Sequence, residues 1–140
     1  MRTALLLIAH GSRREEANAD LKHLEQELRA TAEFEIVESA YLELAQPGIE
    51  EGAATCVGQG AERVVLLPYF LSEGVHVQQD LSAMRARLEV RFPDVEFRLA
   101  EPLGRHRLLV EVVKDRARQA IASDTSKVKS QKQKRAVRRR

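Results

Sequence analysis

Ala4-Leu5-Leu6-Leu7-Ile8-Ala9, followed at once by His10-Gly11-Ser12, decides how this chain folds. Six successive apolar residues leave no wet face, as expected for a strand of a parallel sheet covered on both sides. Val64-Val65-Leu66-Leu67-Pro68-Tyr69-Phe70-Leu71 repeats the pattern, so both runs read as central strands. A third strand is expected over 34–42, Phe34 to Leu42. The fourth, Val95-Glu96-Phe97-Arg98-Leu99-Ala100, alternates apolar and polar residues, which predicts one solvated face and an edge position.

Helices fill the gaps. Ala17, Leu21, Leu24 and Leu28 recur at steps of four, three and four, one face of a helix. Ser12 with Glu15 matches a capping box at its start. Pro47 suits the first turn of a second helix, with Glu50 and Glu51 complementing its dipole and Gly58 or Gly60 ending it. Leu81, Met84 and Leu88 mark a third, stopped before Pro93. Leu109, Val112, Val113, Arg116 and Ala120 follow a fourth, with Arg116 the flaw in its stripe. Repeated β-α units require right-handed crossovers. The expected fold class is therefore α/β: one three-layer domain, a four-stranded parallel sheet with helices on both faces.

The domain is expected to span residues 1–122, with a basic, disordered tail over 123–140. That tail holds eight Lys and Arg residues against one acid, Asp124, a net of +7. The formal total is +2, which leaves −5 on the first 122 residues. The body is acidic, and the basic balance belongs to the tail. The longest apolar run is Val64–Leu71 and contains Pro68, far short of the roughly 20 residues that cross a bilayer. No membrane span is expected, and no secretory signal is read at the N-terminus. One cysteine, Cys56, excludes an internal disulfide and a four-cysteine cluster. A cytoplasmic protein is the expectation.

Chemistry concentrates at strand ends. His10 closes the first strand, and His76 follows the third by a short loop, Ser72-Glu73-Gly74-Val75. Glu43 ends the second. In open α/β sheets ligands bind outside the carboxyl ends of the strands, and that edge can gather such distant residues. Two imidazoles and a carboxylate there could bind one metal ion or move protons together. Gly11 permits a tight turn, and the N–H groups opening the first helix, beside Arg13 and Arg14, suit an anion. Taken singly, His10 also reads as a loop histidine beside a helix cap and Glu43 as a solvated acid. His23 reads as exposed and inert, His106 as a helix-surface residue, and Cys56 as packing. Tyr41 and Tyr69 are expected on strands, with a hydroxyl near a rim. A phosphate-binding loop, a dinucleotide fingerprint and a hydrolase elbow are all missing from the sequence.

Several segments together resemble the small CbiX-type sirohydrochlorin chelatases, the short form of the class II chelatases. They are Leu6–Arg13, Ala17-Asn18, Tyr41-Leu42-Glu43 with Pro47, Leu67-Pro68-Tyr69-Phe70-Leu71-Ser72-Glu73-Gly74-Val75-His76, Asp80-Leu81 and Glu101-Pro102-Leu103-Gly104. The resemblance covers residues 3–122, and the segment ending in His76 is its most specific part. It implies a chelatase-like domain that inserts Co²⁺, or else Fe²⁺ or Ni²⁺, into sirohydrochlorin. This is an anionic tetrapyrrole with eight carboxylates; the cobalt product leads toward cobalamin and the iron product toward siroheme.

The resemblance also implies roles. His10 and His76 would handle metal and protons, Glu43 would orient or accept a proton, and the loop Leu71, Ser72, Glu73, Gly74, Val75 and His76 would line the tetrapyrrole. The residues agree chemically, because metallation removes two pyrrole N–H protons while the metal sheds water, and neutral imidazole serves both steps. No permanently bound cofactor is expected, the divalent ion being a substrate. Larger relatives place two such domains across a cleft, so a single domain is expected to form a homodimer. A non-enzymatic tetrapyrrole or metal carrier using the same edge is the alternative. A third reading makes the tail primary, on a nucleic-acid-associated module. The tail has no aromatic to stack on bases, so nucleic acid is not the expected partner.

Overall fold

The computed structural model describes residues 1–123. The chain forms two compact units, Met1–Gly104 and a second beginning at Arg105. In the first, the elements run β1 (Thr3–Ala9), α1 (Glu15–Ala30), β2 (Ile36–Tyr41), α2 (Ile49–Gly58), β3 (Arg63–Pro68), α3 (Val75–Arg91) and β4 (Glu96–Leu99). The four strands form one parallel sheet in the order β2-β1-β3-β4. As the apolar runs predict, β1 and β3 are central, and the alternating β4 lies at an edge.

Strand side chains alternate between faces, so β1 feeds two cores. Ala4, Leu6 and Ile8 pack with Val64, Leu66 and Phe97 against Ile49, Ala53 and Cys56 of α2 and Leu81 and Leu88 of α3. Leu5 and Leu7 pack with Val37 and Tyr41 against Leu21 of α1, with Leu24 and Leu28 beside it. Residues 4–8 are buried without a break, which is why that stretch tolerates no polar residue. One carboxylate, Glu25, is buried with the second core. It accepts a hydrogen bond from the Ser39 hydroxyl at 2.9 Å and meets Lys22 and Arg29 at 3.5 and 3.4 Å, the pairing a buried charge requires.

Three local expectations are corrected. The capping box does not form: α1 starts at Glu15 with Arg14 as N-cap and no side-chain cap bond. Ser12 is held instead by Asn18, which accepts from the Ser12 amide at 3.0 Å and donates to its carbonyl at 2.7 Å. Pro47 lies outside α2, whose N-cap is Gly48; the Pro47 carbonyl accepts from the Tyr41 amide at 2.9 Å. The segment 64–71 is strand only to Pro68, and His76 lies in the first turn of α3 rather than beyond a loop ending at Val75.

The second unit contains α4 (Arg107–Ser123). The His106 Nδ1 accepts from the Leu108 amide at 3.1 Å, so this histidine acts at the start of the helix. None of the residues of α4 is buried, and its expected stripe remains exposed apart from a half-buried Leu109. Residues 124–140, nearly all of the expected tail, lie outside the described residues. Among the described residues, no helix is long and apolar enough to cross a membrane.

Candidate functional site

The sheet's carboxyl edge is built by backbone bonds that outlast the strands. The Leu42 amide donates to the Ala9 carbonyl at 2.9 Å and the Glu43 amide to the His10 carbonyl at 3.0 Å. The Tyr69 amide donates to the Ile8 carbonyl at 2.7 Å. His10 and Glu43 are thereby fixed side by side, although neither belongs to a strand. Gly11 makes this possible. Its φ of +96° lies in the left-handed region, and a Cβ there would overlap the Glu43 carbonyl. That same carbonyl accepts from the Ala45 amide at 2.8 Å, across Leu44 at φ 63°.

The His10 ring stacks on Phe70, with centroids 4.4 Å apart and planes 28° apart. Phe70 is buried, so an exposed imidazole rests on a fixed floor. Tyr41 lies beneath the same edge; its hydroxyl donates to the Asn18 carbonyl at 3.3 Å. Burial, with Glu25 nearby, raises its pKa above the ordinary phenol value, so it stays neutral. Cys56 is buried and free, and burial first, then the Glu38 charge, pushes its thiol up to about 12. It is a packing residue, as expected, and His23 is exposed with only a 3.8 Å approach to Glu27.

A cleft of about 680 Å³ opens at this edge, within the ordinary range for small-molecule sites. His10, Tyr41, Leu42 and Glu43 form its strand-end wall. Gly48, Ile49, Glu50 and Glu51 line it from the start of α2. From α3 come Val77, Asp80, Ala83, Met84, Arg87 and Arg91.

His10 and Glu43 thus share a cleft, whereas His76 lies beside its lining, next to Val77, with an exposed side chain. Leu71, Ser72, Gly74 and Val75 are likewise exposed and outside the lining. Glu73 is half-buried, and its Oε2 is buried without a hydrogen-bond partner among the described residues. The loop is anchored at its start, where the Leu103 amide donates to the Phe70 carbonyl at 2.9 Å and Gly104 passes so close that a Cβ there would overlap the Leu71 carbonyl. Arg13 and Arg14 are exposed and do not line the cleft. Among the described residues, no three His, Cys, Asp or Glu side chains are grouped to hold a metal ion.

Sequence reasoning missed Arg87 and Arg91. Positions 77, 80, 84, 87 and 91 follow helical spacing beside the core positions 81 and 88, so a second stripe was there to be found.

The CbiX family model matches residues 4–120. The chain belongs to the CbiX family. It is 36% identical over 118 residues to a chloroplastic sirohydrochlorin ferrochelatase of Arabidopsis thaliana, covering 84% of this chain and 52% of that protein. It is 32% identical over 122 residues to a sirohydrochlorin cobaltochelatase of Priestia megaterium, covering 87% and 40%. The chain spans about half the length of these two curated relatives. A crystal structure of a CbiX protein from Marinobacter aquaeolei VT8 superposes with a TM-score of 0.75 at 30% identity, covering 86% of this chain and 98% of that one. The four-stranded parallel sheet is therefore a CbiX sheet, and the cleft sits at the end of it where α/β folds bind ligands.

Proposed function

We propose that this CbiX protein is a metal chelatase that inserts a divalent ion into sirohydrochlorin. The observation that carries the reading is the pairing of His10 and Glu43 on one wall of the cleft, locked by the bond between their backbones. It is supported by the names of the two relatives, a ferrochelatase and a cobaltochelatase of that tetrapyrrole.

The chemistry follows from what the wall offers. Inserting a metal requires two pyrrole N–H protons to leave as the ion exchanges water for nitrogen. His10, seated on Phe70, accepts a proton or holds the incoming ion. Glu43 beside it orients the imidazole or takes the second proton. His76, in the first turn of α3, serves as second ligand from the edge of the cleft. The loop 71–76 covers the macrocycle. Few protein ligands are an advantage, because the ion must pass on to the tetrapyrrole; it is a substrate, and no permanently bound cofactor enters the reaction. Imidazole nitrogen suits Co²⁺, Fe²⁺ and Ni²⁺. Cobalt is our first choice, which would place the reaction on the way to cobalamin, with iron and siroheme the other route.

The protein works as a homodimer in this reading. One copy offers one wall-and-helix cleft, and the matched segment spans about half the length of the two curated relatives. Light scattering at assay concentration should give twice the 15.8 kDa chain mass; a monomer that remains fully active would remove the dimer from the reading. The catalytic domain is residues 1–122, the basic tail is dispensable, and neither nucleic acid nor a membrane is a required partner. A cytoplasmic setting fits a single free thiol.

The deciding experiment follows sirohydrochlorin absorbance with Co²⁺, Fe²⁺ or Ni²⁺, with and without protein. Acceleration over the spontaneous rate that is abolished by His10→Ala, with the fold intact by circular dichroism, is the expected result. Tight tetrapyrrole binding without acceleration would replace the enzyme with a carrier. A fully active His10→Ala variant would remove His10 from the chemistry.

A further inference from the structure

We infer that Arg87, supported one turn later by Arg91, is the anchor for peripheral carboxylates of the macrocycle, on the wall of the cleft supplied by α3. The inference rests on the tetrapyrrole reading above and names the part of the site that would recognise the substrate rather than transform it.

The wall has a gradient of chemistry. Val77, Ala83 and Met84 give it an apolar surface, suited to a flat conjugated ring. Asp80 interrupts that surface, and the two arginines end it. Ten residues of helix separate Val77 from Arg87, about 15 Å of rise. The cations therefore stand well along the wall from its first turn. A macrocycle with its nitrogens toward His10 has its carboxylates at the rim, away from the nitrogens.

The two arginines differ in readiness. Arg91 is engaged, 3.7 Å from the Glu50 carboxylate and 4.9 Å above the Phe92 ring. Arg87 lines the cleft with no ion-pair or hydrogen-bond partner among the described residues. A guanidinium presents five donors in a planar fork that matches a carboxylate. An unpaired one on the wall of a cleft otherwise rich in acids, with Glu43, Glu50, Glu51 and Asp80 also lining it, is the group that offsets their repulsion of an anionic ligand. The Arg91–Glu50 pair, half-exposed on both sides, is weak enough to yield Arg91 to a second carboxylate.

The test titrates metal-free sirohydrochlorin into wild type, Arg87→Gln, Arg87→Lys and Arg91→Gln, and measures metal insertion with each. Loss of one charge-assisted contact should weaken tetrapyrrole binding about tenfold in Arg87→Gln. The loss should fall on KM for the tetrapyrrole more than on kcat, and KM for the metal should not move. Arg87→Lys should recover part of the affinity, Arg91→Gln should lose less, and the salt dependence of binding should flatten in Arg87→Gln. An unchanged Tm separates these effects from misfolding. Wild-type affinity in Arg87→Gln, or a loss confined to kcat, would overturn the inference and leave the proposed function standing. If Arg87→Gln removes only protection by inorganic phosphate, the site is one for free anions and the inference also falls. A wild-type protein that neither binds nor metallates sirohydrochlorin would sink both readings.

Discussion

The Glu43 amide donates to the His10 carbonyl at 3.0 Å, and that bond carries the β1–β2 ladder past the last residues of both strands. It brings His10 and Glu43 side by side through backbone rather than side-chain contacts. The two backbones are therefore set before any ligand arrives, with both side chains exposed on the wall of the cleft.

Gly11 is the condition for that bond. Gly11→Ala places a Cβ in the left-handed region and against the Glu43 carbonyl. The backbone conformation alone costs about 1–3 kcal/mol, and the overlap adds to it because neither partner is a flexible side chain. Urea unfolding should show that loss, and tetrapyrrole metallation should fall with it. A variant of wild-type stability would show that the two loops need not approach so closely.

Asn18 clamps the loop from the other side. Asn18→Ala removes both bonds to the Ser12 backbone and should cost roughly 1–2 kcal/mol. Asn18→Asp keeps the acceptor for the Ser12 amide and loses the donor, so it should cost less. Amide hydrogen exchange at residues 11–14 should quicken in Asn18→Ala; unchanged protection there would separate Asn18 from the loop.

Leu6 tests the sheet itself. It is fully buried between β2 and β3 and faces the α2–α3 core. Leu6→Ala should destabilise by about 2–5 kcal/mol, measured by chemical denaturation. A loss well under 1 kcal/mol would contradict close packing of that face.

Cys56 predicts an alkaline limit. Its thiol is raised from 9.0 to about 12 by burial, so the unfolded chain loses this proton first. The contribution is fully present below pH 9 and is lost as pH rises from 9 toward 12. One proton gives a slope of up to ~1.4 kcal/mol per pH unit. Cys56→Ala should shallow the decline over that window, leaving the portion due to Tyr41, whose raised pKa acts in the same direction. Parallel pH profiles for the two proteins would refute the assignment.

Much of this molecule was written along the chain. The unbroken run Ala4–Ala9 determined a strand buried on both faces, and alternation over 95–100 determined an edge strand. Both follow from the period-two geometry of strands and the cost of burying polar groups. The position of His10 just past a strand end was legible for the same reason. What only the tertiary structure decided depends on partners distant in sequence. Ser12 and Glu15 have the spacing of a capping box, yet Ser12 is held by Asn18, because the left-handed turn at Gly11 redirects the chain before the helix begins. Pro47 has the right chemistry for a helix start but lends its carbonyl to Tyr41. The α3 wall ending in Arg87 and Arg91 has helical spacing in the sequence, but only packing against the sheet sets which stripe faces the cleft. Local periodicity specifies elements; register and packing between elements specify the site.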